Sequence, residues 1–335
     1  MSLPALIAII LGVSLTAYAL FAGADFGAGI LDLLAGNRDA ARNAIAATIG
    51  PVWEANHVWL IFSITILFSA FPAAFAALGT ALLAPLTIAL LAIVVRSVAL
   101  GLRVSPAATP RAGATLSRLF GAASLIAPFM FGAVAGALAA VSSSPPHLGA
   151  PAVSHVPWTG AFALTTGALA VALCAQLAAS FVALSMVRSG QQRLAERFRV
   201  RGLQTGACVC LLSLAAPAVA ATAAPAVWHK LIGPALPLVI IGLCAGAMSL
   251  LAGWRRRYLL ARGASLLTGA AVLWGWFVSQ APHLIGHRLT IHSTAATHAA
   301  LGAIAIAAGA VLLLVLPAMY LLFAVFARPE LEITK

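Results

Sequence analysis

The sequence predicts an all-α polytopic membrane protein of nine transmembrane helices, arranged as two four-helix bundles plus one peripheral helix. Three observations predict it. Of 335 residues, 63% are hydrophobic and 8% charged, with a mean hydropathy of +1.07, far from the balance of a soluble domain. Apolar runs long enough to cross about 30 Å of hydrocarbon recur along the whole chain. Cations fall in alternate connections between those runs, as membrane topology dictates. The net charge of +12 therefore marks orientation. Its Arg residues come in small groups rather than along one stripe, so no nucleic-acid partner is expected.

The first span, Leu3–Leu34, is read as a retained membrane helix. Ala22-Gly23-Ala24 resembles a cleavage site, but Met1 to Pro4 carries no cation and the run exceeds an ordinary signal core. A polar turn with Arg38 and Arg42 leads into span two, Ile49–Ala70. Span three, Ala73–Leu102, ends at Arg103, and Arg111 and Arg118 precede or open span four, Leu116–Val141. Span five, Trp158–Val187, runs into Arg188, Arg193, Arg197, Arg199 and Arg201. Spans six and seven, Gly202–Ala221 and Leu231–Gly253, lead to Arg255, Arg256, Arg257 and Arg262. Span eight is Leu259–Gln280, and span nine, Ala295–Phe326, precedes a tail with Arg328 and Lys335.

The opposite connections hold Lys230 and Arg288 alone, so the amino terminus is placed outside and the carboxyl terminus in the cytoplasm. One integral membrane domain is expected, with residues 1–142 and 143–281 as its four-helix halves and 282–335 as the ninth helix and tail. Four is even, so the halves would run in parallel through the membrane. Pro85, Pro128 and Pro217 lie within spans and are read as kinks. Cys174, Cys208, Cys210 and Cys244 are read as small buried apolar side chains. Cys208 and Cys210, two apart, point to nearly opposite helix faces and make no metal pair. His147, His155, His229, His283, His287, His292 and His298 gather on the outer side at scattered spacings, which favours structural roles over a metal site.

Against this background the acids stand out, because an ionisable group inside a bilayer is costly and usually functional. Counting about 1.5 Å per residue from Leu3, Asp25 lies about 33 Å along span one, near the cytoplasmic end of the hydrocarbon. Glu54 is about one turn inside span two, and Arg96 about two turns before Arg103 in span three. Three charges on successive helices thus share one depth, as a proton-carrying or charge-compensating cluster with Arg96 as charge partner. His57 follows Glu54 by three and extends that face. Asp32 is read as a solvated helix-end charge. Gly23, Gly27 and Gly29 allow a second helix to approach closely. Trp53 suits an interfacial anchor, while Trp59 is deeper and packs against a neighbour.

These residues carry a resemblance. The run Gly-Ala-Asp-Phe-Gly-Ala-Gly-Ile-Leu from Gly23 to Leu31, followed by Pro-Val-Trp-Glu-Ala-Asn-His-Val-Trp-Leu-Ile from Pro51 to Ile61, resembles subunit II of cytochrome bd-type quinol oxidases. Asn56 belongs to this motif, with Trp53 and Trp59 on either side. The match is one of motif over about the first hundred residues and of architecture beyond. Where the family often has Asp-Gly-x-Asp at the end of span one, this chain has Ala22 for the first acid and keeps Asp25.

The resemblance implies a bacterial cytoplasmic-membrane heterodimer with a haem-bearing subunit I. Haem b and haem d would sit in that subunit rather than in this chain. Quinol would be oxidised near the outer face and oxygen reduced to water with cytoplasmic protons. This chain would be a non-haem, non-catalytic scaffold with a proton path through Asp25, Glu54 and His57, in contact with membrane lipid, room for a structural quinone, and a small accessory subunit beside it. The alternative reading from the residues is a proton-coupled secondary transporter, since buried acids and helix breaks also mark that class.

Overall fold

The computed structural model describes residues 2–35, 39–49, 53–104, 110–141, 156–286 and 289–326. Its elements in order are α1 (Leu3–Ala35), α2 (Asp39–Ile49), α3 (Trp53–Ala70), α4 (Pro72–Ala81), α5 (Leu83–Val104), α6 (Pro110–Val141), α7 (Ala161–Arg188), α8 (Gln192–Ala223), α9 (Pro225–Leu231), α10 (Leu236–Trp254), α11 (Tyr258–Gln280), a two-stranded antiparallel hairpin β1 (His283–Ile285) and β2 (Leu289–Thr290), and α12 (His298–Phe326). Seven of these helices are long and apolar enough to cross a membrane, or eight if α3 and α4 count together as one bent span. The chain is a multi-pass membrane protein. Among the described residues, seven or eight candidate spans stand where nine are expected. The helix α11 has 23 residues but carries Arg262, Ser265 and Thr268 among its apolar positions.

Three boundaries differ from the sequence reading. First, α3 and α4 meet at 114°. Phe71, held outside helical geometry at φ −133 and ψ 58, precedes Pro72 at the start of α4, as expected of a residue before proline. Second, the expected span Ala73–Leu102 is broken at Leu82, where the backbone (φ −118, ψ 25) closes α4. Pro85 then lies in the first turn of α5, where its missing N–H costs no helical bond, so it starts a helix rather than kinking one. Third, α8 begins at Gln192, ten residues before the apolar run, because its first turns are polar and Arg-rich. Pro128 and Pro217 do lie within helices.

Helices α1 and α7 form the centre: α1 packs on α3, α6 and α7, and α7 on α6, α8 and α11. One apolar cluster gathers Ile7, Leu11, Ile66, Phe71, Leu82, Ile285 and Leu301, tying α1 to the α3–α4 corner, the hairpin and α12. A second links Ala28 and Leu31 of α1 to Ala178, Val182 and Met186 of α7 and to Phe198 of α8. Cys174 is buried as expected, whereas Cys208 and Cys244 are exposed on the helix surface, where lipid accepts them as readily as a core does.

Candidate functional site: a two-rung ion-pair ladder

Asp25 lies on α1 and Arg96 on α5, and both are buried, at 4% and 1% exposure. Arg96 Nη1 donates to Asp25 Oδ2 at 2.7 Å and Nη2 to Oδ1 at 2.7 Å, the bidentate geometry that matches a planar guanidinium to a carboxylate. Nη2 also donates to the Asp25 carbonyl at 3.2 Å, and Nε to Ser124 Oγ of α6 at 3.0 Å. The guanidinium lies over the rings of Phe26 and Phe120, 4.9 and 5.0 Å from their centroids. A cation this deep is tolerable only when paired and hydrogen-bonded, and each of those conditions is met here.

The same arrangement repeats two turns along. Arg103 Nη1 donates to Asp32 Oδ2 at 2.8 Å and to Ser117 Oγ at 3.2 Å, and its guanidinium lies 5.5 Å from the Phe120 centroid. Asp25 to Asp32, Arg96 to Arg103 and Ser117 to Ser124 are each seven residues. The equal offset of the two acid–Arg pairs means that α1 and α5 run in the same direction through the protein, with Phe120 of α6 between the rungs. Seven residues amount to about 10 Å along a helix. Arg42 of α2 adds a third cation, its Nε 3.7 Å from Asp32 Oδ1, and both of those atoms are buried without a hydrogen bond.

Asp32 is therefore not a solvated helix end: it is fully buried and paired. Its position near the end of α1 suggested water, but its side chain faces α5 and α2. The seven-residue interval shared by the two acids and the two arginines was the available signal.

The glycines fit this packing. A Cβ at Gly27 would overlap the Cys174 carbonyl of α7, and one at Gly29 would overlap the Ser124 side chain that Arg96 uses. At Gly23 a Cβ would lie 3.2 Å from Leu177 Cδ1. Close backbone approach on two sides of α1 is what sets Asp25 against α5 and α6.

On α3 the placement divides. Trp59 is 5% exposed and belongs to a cluster with Tyr18, Phe26 and Ala92. Asn56, one turn away, is 1% exposed, and among the described residues neither its amide nitrogen nor its oxygen, nor the Trp59 Nε1, has a hydrogen-bond partner. His57 is half-buried. The side chains of Glu54 and Trp53 lie outside the described residues. Of the expected cluster, the structure brings Asp25 and Arg96 into contact. Among the described residues no group of three or more His, Cys, Asp or Glu is placed to hold a metal ion. His147, His155 and His287 lie outside the described residues.

Comparison with known proteins places this geometry. Cytochrome bd ubiquinol oxidase subunit 2 of Bacillus subtilis (strain 168) is 38% identical over 81 residues, 24% of this chain and 24% of that protein. Cytochrome bd-I ubiquinol oxidase subunit 2 of Escherichia coli (strain K12) is 38% identical over 69 residues, 21% of this chain and 18% of that protein. The aligned stretches thus span about a quarter or less of these relatives. In fold, the chain is similar to a chain in the structure of bd oxidase from Geobacillus thermodenitrificans, with a TM-score of 0.79 at 21% identity, over 97% of this chain and 99% of that one. Residues 3–326 match the family described as cytochrome bd terminal oxidase subunit II. With that match covering nearly the whole chain, the protein belongs to the cytochrome bd terminal oxidase subunit II family.

Proposed function

We propose that this chain is the haem-free second subunit of a bacterial quinol:oxygen oxidoreductase, in the cytoplasmic membrane and paired with a haem-bearing subunit I. The family match along residues 3–326 is the observation that carries this reading. In the same proposal the chain spans the membrane nine times, in two four-helix halves and a ninth helix, with its amino terminus outside and its Arg-rich ends in the cytoplasm. Haems b and d, bound in subunit I, supply electron transfer and oxygen activation. Quinol, membrane lipid, a structural quinone and a small accessory subunit complete the proposed partners.

Oxygen reduction to water consumes protons, and the proposed role of this chain is to help deliver them from the cytoplasm. Glu54 and His57, one turn apart on α3, exchange them. Asp25, with both oxygens accepting from Arg96, is the charge-compensating member that keeps the cation neutralised. The bare Asn56 amide supports a hydrated route. A fully buried amide without partners is stable only if something polar meets it, and water fits the need.

The proposal is tested on the complex purified through a tag on this chain. Reduced-minus-oxidised spectra should show the haems of a copurified subunit, and their absence would sink the oxidase assignment. Glu54→Gln should then slow quinol oxidation roughly 100-fold or more, the usual scale for a lost proton-transfer group, with haem content unchanged. Unchanged turnover would remove Glu54 from the path, and lost haem would make it structural. A proton-coupled transporter would instead purify without a haem-bearing subunit; the break at Ala224–Pro225 (φ −149, ψ 62 at Ala224) resembles the one at Phe71–Pro72, so helix breaks alone do not separate the two readings.

A further inference from the structure

At the Arg-rich ends of α7, α8 and α10, a cleft of ≈ 850 Å³ opens between Ala40 of α2, the first turns of α8 and the α10–α11 connection. Arg193, Arg197 and Arg256 line it, beside Leu194, Glu196 and Tyr258. Its one acid is already engaged: Arg199 grips both Glu196 oxygens, with Nε donating to Oε2 at 2.9 Å, while Arg256 Nε stands 3.5 Å from Oε2. Arg193 and Arg197 are exposed and line the cleft, and among the described residues neither makes an ion pair. Three guanidinium-bearing side chains and one acid line this concavity, a net positive lining that favours an anionic occupant.

The backbone adds an independent sign. Arg256 adopts φ +57, the left-handed region that L side chains avoid. The reason is the way α10 ends: Arg257 N donates to the Ala252 carbonyl at 2.8 Å and Arg256 N to the Gly253 carbonyl at 3.2 Å, a Schellman closure with Arg256 at the position glycine normally fills. The end of α7 closes identically, Gln191 N to Met186 O and Gly190 N to Val187 O, and there the left-handed residue is Gly190 at φ +72. The chain thus uses glycine for this turn at one helix end and an arginine at the other. The turn is set by these backbone bonds and carries a cation to the cleft where glycine would carry none.

The depth suits a lipid. Trp254, 70% exposed, immediately precedes the arginine run, where an indole marks the headgroup level. Leu194 and Ala40 give the cleft an apolar wall that a free anion would not need, and its volume far exceeds one inorganic phosphate.

We propose that this cleft binds the phosphate headgroup of an anionic phospholipid of the leaflet at the Arg-rich ends, with Arg193, Arg197 and Arg256 as its ligands. The inference does not depend on the oxidase reading. Purified full-length protein, with its accompanying subunits, is placed in nanodiscs of phosphatidylcholine doped with phosphatidylglycerol, and retained lipid is counted by native mass spectrometry. The triple variant Arg193→Gln, Arg197→Gln, Arg256→Gln should lose phosphatidylglycerol affinity roughly 100-fold, at about fivefold per guanidinium near the membrane surface. A charge-matched control, Arg201→Gln, Arg255→Gln, Arg257→Gln, whose side chains do not line the cleft, should lose clearly less phosphatidylglycerol affinity than the cleft variant. Arg256→Gly separates turn from ligand: it should hold or raise thermal stability while weakening lipid retention. Equal losses in both triple variants, equal retention of phosphatidylcholine, or displacement of the lipid by inorganic phosphate would each overturn the proposal.

Discussion

Arg96 makes four hydrogen bonds and lies against Phe26 and Phe120 at 1% exposure. Removing one partner of such a pair leaves the other as an uncompensated buried charge, a loss of about 3–5 kcal/mol. Arg96→Ala should therefore reduce the assembled complex recovered from membranes to a small fraction of wild type. Asp25→Asn should do comparable harm, because it leaves the Arg96 cation buried without a counter-charge and turns an amide NH2 toward one of its donors. If Arg96→Ala assembles normally, the pair is not holding α1 to α5. Counting residues from the span ends was enough to put Asp25 and Arg96 at one depth, since helical rise is fixed. It failed for Asp32, because depth along one helix does not say which neighbour the side chain meets. The bare Asn56 amide was equally invisible, for an unsatisfied group is a property of the surroundings.

Among the helices, α1 depends on having no side chain where it meets its neighbours. A Cβ at Gly27 would collide with the Cys174 carbonyl, which is backbone and cannot rotate aside. Gly27→Ala should thus force α1 and α7 apart and cost about 1–3 kcal/mol, the scale of an overpacked core, seen as a lower thermal midpoint of the detergent-solubilised protein. Gly101→Ala, where nothing lies within 4 Å of the added atom, should be neutral or slightly stabilising. Long apolar runs were legible as helices because composition alone reveals them. The polar first turns of α8 were not, since hydropathy hides a helix that protrudes from its apolar run. The corner at Phe71–Pro72 reads in the sequence only as a boundary; its 114° angle comes from packing of α4 beside the hairpin and Ile7. The hairpin from His283 to Thr290 is too short to show a periodicity.

Across the whole molecule, the outward surfaces of α3, α5 and α12 are apolar, with Ile61, Phe68, Leu90, Val98, Ile306 and Leu313 exposed. Such faces suit lipid or a partner subunit. The ladder has a further consequence, for biogenesis. An arginine at the centre of a membrane helix costs about 2.5–3.5 kcal/mol to insert, and α5 carries Arg96 within its apolar run and Arg103 in its last turn. Because α1 leaves the ribosome first, its two aspartates are already waiting in the bilayer when α5 arrives. Translation order is thus matched to charge order, and α5 enters as a helix whose counter-ions are installed. In a chain carrying Asp25→Leu and Asp32→Leu, a topology reporter fused after Val104 should reveal a substantial fraction of α5 left uninserted, where the parent chain inserts nearly all of it.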